Sequence, residues 1–196
     1  MIKRRGKWVF LAAVAVVLIA QPVFAQNRII DLGTLGGTWG QAYLINNLGQ
    51  VAGISTTASG QRHGFFWTSE GGMVDLGTLG NGECSWPHDM NNSGQVVGER
   101  TTLPGDPLEN PTLWDTTRAF LWTAEGGMVD IGTLGGTWSR ASAINDLGQV
   151  AGGSKTASGE YHAFLWTAEG GMLDIGTLGG TWGDAWCINN QGQVVG

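Results

Sequence analysis

The pattern of apolar and polar positions divides the chain in two. Residues 9–20 form an unbroken apolar run behind a basic start of Lys3, Arg4, Arg5 and Lys7. From residue 29 onward the apolar residues come in short groups separated by turns rich in Gly, Asn and Ser. The stretch from 140 to 176 shows the scheme. Residues 140–145 fit a short strand, and Asn145-Asp146-Leu147-Gly148 fits a turn whose Gly148 supplies a positive φ. Residues 149–154 read as the return strand, and 155–159 as a polar loop. Residues 162–166 (His-Ala-Phe-Leu-Trp) are bulky and β-prone. A second tight turn at 168–171 leads to a fourth strand at 172–176, and residues 177–182 carry the chain into its next unit.

This pattern recurs. Asp-(Leu/Ile)-Gly-Thr-Leu-Gly begins at Asp31, Asp75, Asp130 and Asp174, in steps of 44, 55 and 44 residues. Gln-Val-(Ala/Val)-Gly begins at Gln50, Gln95, Gln149 and Gln193, and an aromatic-(Phe/Leu)-Trp run ends at Trp67, Trp122 and Trp166. A fixed period of this size marks a repeat array with one supersecondary unit per period. Short connections require antiparallel neighbours, because parallel pairing needs a long crossover. Four short antiparallel strands per period match one blade of a β-propeller. The expected fold is therefore all-β, a propeller-like array of about 3.75 repeats. The alternative is a β-solenoid, which the hairpin-like turns at 46–49 and 145–148 oppose. Residues 28–33 read as a lone fourth-type strand at the start. Gly196 closes the last Gln-Val-Val-Gly strand, and no third-type strand follows it. This suggests a piece of a longer array, or a four-bladed disc with a defective seam whose exposed edges invite pairing with another chain.

Composition supports an array of sheets. Gly supplies 34 of 196 residues, too many for helices, while 42% hydrophobic content is enough for a packed core. The apolar run is halted by Gln21-Pro22 before it could span a bilayer, and Val23-Phe24-Ala25 places small residues at a cleavage site. Residues 1–25 therefore read as a secretory signal and 26–196 as a single β-repeat domain. Four of the 10 basic residues and none of the 16 acidic ones lie in that signal, so the remainder carries a net charge of −10. Its basic residues are scattered, which argues against nucleic acid and anionic membranes as partners. Cys84 and Cys187 read as two small thiols rather than a disulfide framework.

The second repeat departs from the others. It lacks the Trp found at Trp39, Trp138 and Trp182, and the loop after Gly98 is ten residues longer, stiffened by Pro104, Pro107 and Pro111. Loops are where repeat proteins add binding specificity.

No nucleophile elbow or zinc-protease motif is present, and no catalytic residue, metal site or cofactor is assigned. His63 and His162 share a repeat position, which points to structure. Asp31, Asp75, Asp130 and Asp174 could form a carboxylate ring, but Asp beside Gly at a turn more often accepts backbone N–H groups. The unshared polar residues Glu83, His88, Asp89, Glu99, Asp106 and Glu109 all belong to repeat two, and Glu83 and Asp89 are where a polysaccharide-acting enzyme would be tested. Trp67, Trp122 and Trp166 fit a core. Trp39, Trp138 and Trp182, in Gly-rich connections, and Trp114, on the long loop, are the candidate ligand-binding residues, since an indole face stacks on sugars and other flat rings.

His162-Ala163-Phe164, weakened to His63-Gly64-Phe65 and Arg118-Ala119-Phe120, joins the Asp-Leu-Gly-Thr-Leu-Gly-Gly, Ala-Ile-Asn-x-x-Gly-Gln-Val-x-Gly and Phe-Leu-Trp-Thr boxes in fixed order over nearly all of 29–196. This set resembles the HAF-repeat family, described as extracellular repeats of bacteria. The resemblance implies export and a surface-associated or extracellular repeat domain. It implies no catalytic residues and no defined ligand. The expected function is that of a secreted, non-catalytic scaffold binding a protein or glycan, with a polysaccharide-acting propeller enzyme or a truncated fragment as alternatives.

Overall fold

The computed structural model of the chain describes residues 29–79, 84–103, 105 and 108–196. The signal-like segment 1–25 lies outside them, as do Glu83, Pro104, Asp106 and Pro107. Leu32–Gly196 forms one compact unit.

That unit is all-β, built from consecutive antiparallel sheets. The first holds β1 (Gly36–Ile45), β2 (Val51–Thr57), β3 (Arg62–Thr68) and β4 (Gly72–Asp75) in chain order. The second holds β5 (Ser85–Met90), β6 (Val96–Arg100), β7 (Arg118–Thr123) and β8 (Gly127–Asp130), again in order. The third repeats this with β9 (Gly135–Ile144), β10 (Val150–Thr156), β11 (Tyr161–Thr167) and β12 (Gly171–Gly176). A short hairpin, β13 (Cys187–Ile188) and β14 (Val194–Val195), begins a fourth unit. The strands pair antiparallel with their chain neighbours, as the hairpin turns required, and not in the parallel stacks of a solenoid.

The sequence boundaries needed three corrections. Residues 29–33 form no strand, so no lone fourth-type strand opens the array. The first strands are longer than expected, with β1 and β9 reaching back through Gly-Gly-Thr-Trp. Trp39 and Trp138 consequently lie in strands rather than in connections. The long insertion carries a 3-10 helix, Pro111–Thr116, capped by the Asn110 side chain on the Thr112 N–H.

Two features explain the repeated boxes. Each Asn-x-x-Gly turn closes with the Gly N–H on the Asn carbonyl, as from Gly148 to Asn145 at 3.0 Å, with Gly148 at φ 77°. The Gly of Gln-Val-x-Gly has a different reason. A Cβ at Gly53, Gly98 or Gly152 would strike the carbonyl oxygen of Gln41, Trp86 or Arg140 on the neighbouring first strand. Each contact lies beside a register shift, where the first strand bulges and its backbone moves toward the second.

The core lies between sheets. Ala52, Phe66 and Leu76 of the first unit pack on Met90, Val96, Phe120, Trp122 and Met128 of the second, with the Phe66 and Trp122 rings 5.2 Å apart. Val97, Ala119, Leu121 and Ile131 pack in turn on Ala141, Ile144, Val150 and Phe164 of the third, and Ala151 and Ala163 on Ala185 of the fourth. Trp122 is buried as a core residue should be, whereas Trp67 and Trp166 are only half-buried.

Polar contacts tie the same junctions at every step. Asn46 Nδ2 donates to the Asn91 carbonyl (3.0 Å), Asn91 Nδ2 to the Asn145 carbonyl (3.0 Å), and Asn145 Nδ2 to the Asn189 carbonyl (2.9 Å). One residue on, the N–H groups of Asn47, Asn92 and Asp146 donate to Oδ1 of Asn92, Asp146 and Asn190. The amides of Gln50, Gln95 and Gln149 lie over Gly94, Gly148 and Gly192, whose Cβ atoms would meet Oε1 at 3.1, 3.3 and 3.1 Å. An asparagine ladder thus runs along one end of the array.

Asp146 is the one carboxylate in the ladder positions. Its pKa is lowered by the Asn92 N–H, the Asn190 amide and the Asn92 amide, all bonding to the charged form. A lowered folded pKa contributes stability in full above the ordinary Asp value of 3.8, and that contribution drains away as pH falls through the folded value. Asp146→Asn keeps an acceptor without the titration. Its melting temperature is therefore expected to fall less than that of the unsubstituted protein between neutral pH and pH about 3. Parallel curves in a thermal melt series would count against the ladder's dependence on that charge.

Candidate functional site

The 3-10 helix of the long insertion lies across the junction between the second and third sheets. Pro111 starts the 3-10 helix, and buried Leu113 anchors it. Trp114 packs on Trp86 of β5, ring centroids 5.2 Å apart. Asp115 reaches the third sheet, accepting from Lys155 Nζ (3.1 Å) and from the Tyr161 hydroxyl (3.3 Å), while its carbonyl accepts from Thr137. Tyr161 meets Trp138 edge-on at 5.3 Å and bears the Lys155 ammonium over its face at 4.8 Å. The Tyr161 carbonyl then accepts the Gly183 N–H beside Trp182.

Arg140 of β9 lies between two indoles, 6.0 Å from the Trp138 ring and 4.7 Å from the Trp186 ring. Its Nη2 donates to Asp184 Oδ2 at 2.5 Å. The Asp184 side chain is almost wholly buried, and burial raises its pKa while the Arg140 charge works to lower it. Asp184 Oδ1 and Arg140 Nε have no hydrogen-bond partner among the described residues. Trp182 and Trp186 are 59% and 51% exposed, which leaves their faces open to a ligand. A shallow cleft of about 310 Å³ beside Trp182 is lined also by Thr177, Leu178 and Asp184.

Three of the four Trp residues singled out from sequence are thus linked: Trp114 through Asp115 to Tyr161, and Tyr161 to both Trp138 and Trp182. Trp39 stands apart, on the first sheet, where its backbone bonds to Ser55 and Thr56. Tyr161, Arg140, Asp184 and Trp186 were not anticipated. A signal for them existed. Aligned on the Asn of each turn, the repeats place Gln41, Trp86, Arg140 and Asp184 in one column and Tyr43, His88, Ser142 and Trp186 in another, and a repeat's most variable columns are where function departs from scaffold.

Among the described residues, the unshared acids of repeat two (Asp89, Glu99 and Glu109) do not gather at a mouth. Asp89 is a strut: its Oδ2 accepts the Ile144 N–H of the next sheet and its Oδ1 the Met90 N–H, both at 2.8 Å. Glu99 is buried, taking Thr117 Oγ1 at 2.6 Å and standing 3.1 Å from His88 Nε2. Glu109 is exposed. The repeated acids Asp75, Asp130 and Asp174 accept the N–H of Gly77, Gly132 and Gly176, the turn role read from sequence. Two of them also face His63 and His162, and the third faces Arg118 and Arg100. Cys84 is buried and Cys187 exposed.

No group of three or more His, Cys, Asp or Glu side chains suited to a metal occurs among the described residues. No helix among them is long and apolar enough to cross a membrane. No protein-family model matches the chain, and no curated protein matches it in sequence.

Proposed function

We propose that the sheets are successive blades of a propeller-like array, and that the chain is an exported, non-catalytic scaffold of the HAF-repeat kind that binds a glycan outside the cell. The observation that carries the binding reading is the aromatic surface of Trp138, Tyr161, Trp182 and Trp186 around Arg140. Sugar rings present C–H faces to indoles, and a guanidinium held between rings offers donors to hydroxyl groups. Export rests on the basic start, apolar run and small residues of 1–25.

Titration of a panel of bacterial and plant polysaccharides by calorimetry tests the reading. Trp182→Ala and Trp186→Ala are each expected to weaken binding about tenfold, the loss of one stacked ring. Trp39→Ala, away from this surface, is expected to leave affinity unchanged. Equal losses at all three positions, or no binding by the unsubstituted protein, would overturn it.

A further inference from the structure

The first two junctions between sheets differ in three repeat columns. Between the first and second sheets, Phe66 packs on Trp122, and its Cζ comes to 3.3 Å from where a Cβ of Gly94 would stand. Trp122 is buried beneath it. Between the second and third sheets, Leu121 stands in the column of Phe66 and Trp166 in that of Trp122. The nearest atoms to the Cβ site of Gly148 all belong to Gln95, so no ring fills the space that Phe66 fills one junction earlier. Trp166 is left half-buried. In the turn beside it, Asp146 stands in the column of Asn92 and Leu147 in that of Ser93. A cleft of about 420 Å³ opens there, lined by Leu121 of the second sheet and by Asp146, Leu147, Trp166 and Glu169 of the third. Its volume is that of a small-ligand site, and both sheets that border it have all four strands.

The lining defines the occupant. The indole of Trp166, with Leu121 and Leu147, offers an apolar surface where a single ring is missing. Glu169 is exposed and has no ion-pair partner among the described residues, and Asp146 adds a second negative charge. No Lys or Arg lines the cleft, so it favours a cation. Hydroxyl groups also find partners. Gln95 and Gln149 accept through Oε1 from Asn91 and Asn145, which leaves their Nε2 groups to donate. Thr167 Oγ1 accepts the Gly170 N–H and keeps its own proton for a ligand. These donors suit a ring that carries hydroxyls better than a wholly apolar one.

We propose that this cleft binds a protonated amino-sugar ring, with the C–H face of the sugar on Trp166 and its ammonium group toward Glu169 and Asp146. The site shares no residue with the aromatic surface around Arg140 and stands independently of the reading given to that surface.

Calorimetric titration of the full chain with a tetramer of β-1,4-linked glucosamine tests this. At pH about 5.5 the amines carry protons and the carboxylates do not. The N-acetylated tetramer has the same rings without the charge, and tetralysine has the charge without the rings. Each is expected to bind at least tenfold more weakly than the glucosamine tetramer. Leu121→Phe restores the ring of the first junction and fills the cleft without altering the net charge. Glu169→Gln removes the exposed carboxylate and leaves the fold intact. Both variants are expected to weaken binding of the glucosamine tetramer about tenfold, and Trp182→Ala to leave it unchanged. The proposal is overturned by a glucosamine tetramer that does not bind up to about 10 mM, or by an acetylated tetramer or tetralysine that binds as tightly. Binding that survives in both Leu121→Phe and Glu169→Gln also overturns it. Binding that falls in Trp182→Ala and persists in Leu121→Phe assigns the amine to the surface around Arg140 and removes this site.

Discussion

Gly98→Ala is expected to lower the unfolding free energy by about 2–3 kcal/mol, although it adds a single methyl group. The new Cβ would occupy the space of the Trp86 carbonyl oxygen and crowd the Pro87 Cα. Neither atom belongs to a flexible side chain, so β5 and β6 must separate. Both strands are buried at that point and carry the core contacts of two junctions. Gly60→Ala separates collision from conformation. Gly60 has φ 89° and open space around the missing Cβ, so its cost is that of a left-handed alanine, about 1 kcal/mol. Urea unfolding of the two variants compares the effects directly. A loss at Gly98 no larger than at Gly60 would mean that the strands part cheaply, and that close approach is not why the box ends in Gly.

That box was legible as a signature, but its reason was not. Local pattern located the turns at 46–49 and 145–148, the bulky third strands and the short fourth strands, because each depends on residues close in sequence. It stopped β9 short at Arg140, since Gly-Gly-Thr-Trp has loop composition. What extends β1 and β9 is long-range: Thr56 Oγ1 takes the Trp39 N–H, and Ser154 Oγ donates to the Trp138 carbonyl. The 3-10 helix was hidden by its length, although Asn110-Pro111 is a fair start signal. Residues 29–33 share the apolar character of a fourth strand, but a strand also needs a neighbour to pair with. At the candidate site, the Trp residues stood out by type and Trp114 by its loop. Arg140 and Asp184 did not, because a charge reads as solvated until a partner 44 residues away is known to lie beside it. The period of the repeat held that information, and comparing column with column would have released it.

Asn91→Ala is expected to cost about 3 kcal/mol. Asn91 is buried and uses its whole side chain. Oδ1 accepts the N–H groups of Ser93 and Gln95, closing its own turn, while Nδ2 donates to Gln95 Oε1 and to the Asn145 carbonyl of the next sheet. Alanine leaves all four partners without this group, and burial denies the Asn145 carbonyl a water in its place. Asn91→Asp divides the effect. Its carboxylate still accepts from Ser93 and Gln95, so the turn persists, but it sets negative charge against two oxygen acceptors, and the tie between sheets is lost. Near neutral pH the Asp variant is therefore expected to be destabilised with an intact turn. As pH falls and the carboxyl gains a proton it can donate again, so the deficit shrinks on acidification. Denaturant melts at several pH values, with amide exchange at Gln95 and Ser93, distinguish the two roles. If Asn91→Asp matches the unsubstituted protein at neutral pH, the side chain only shapes its own turn, and its amide does not tie the sheets together.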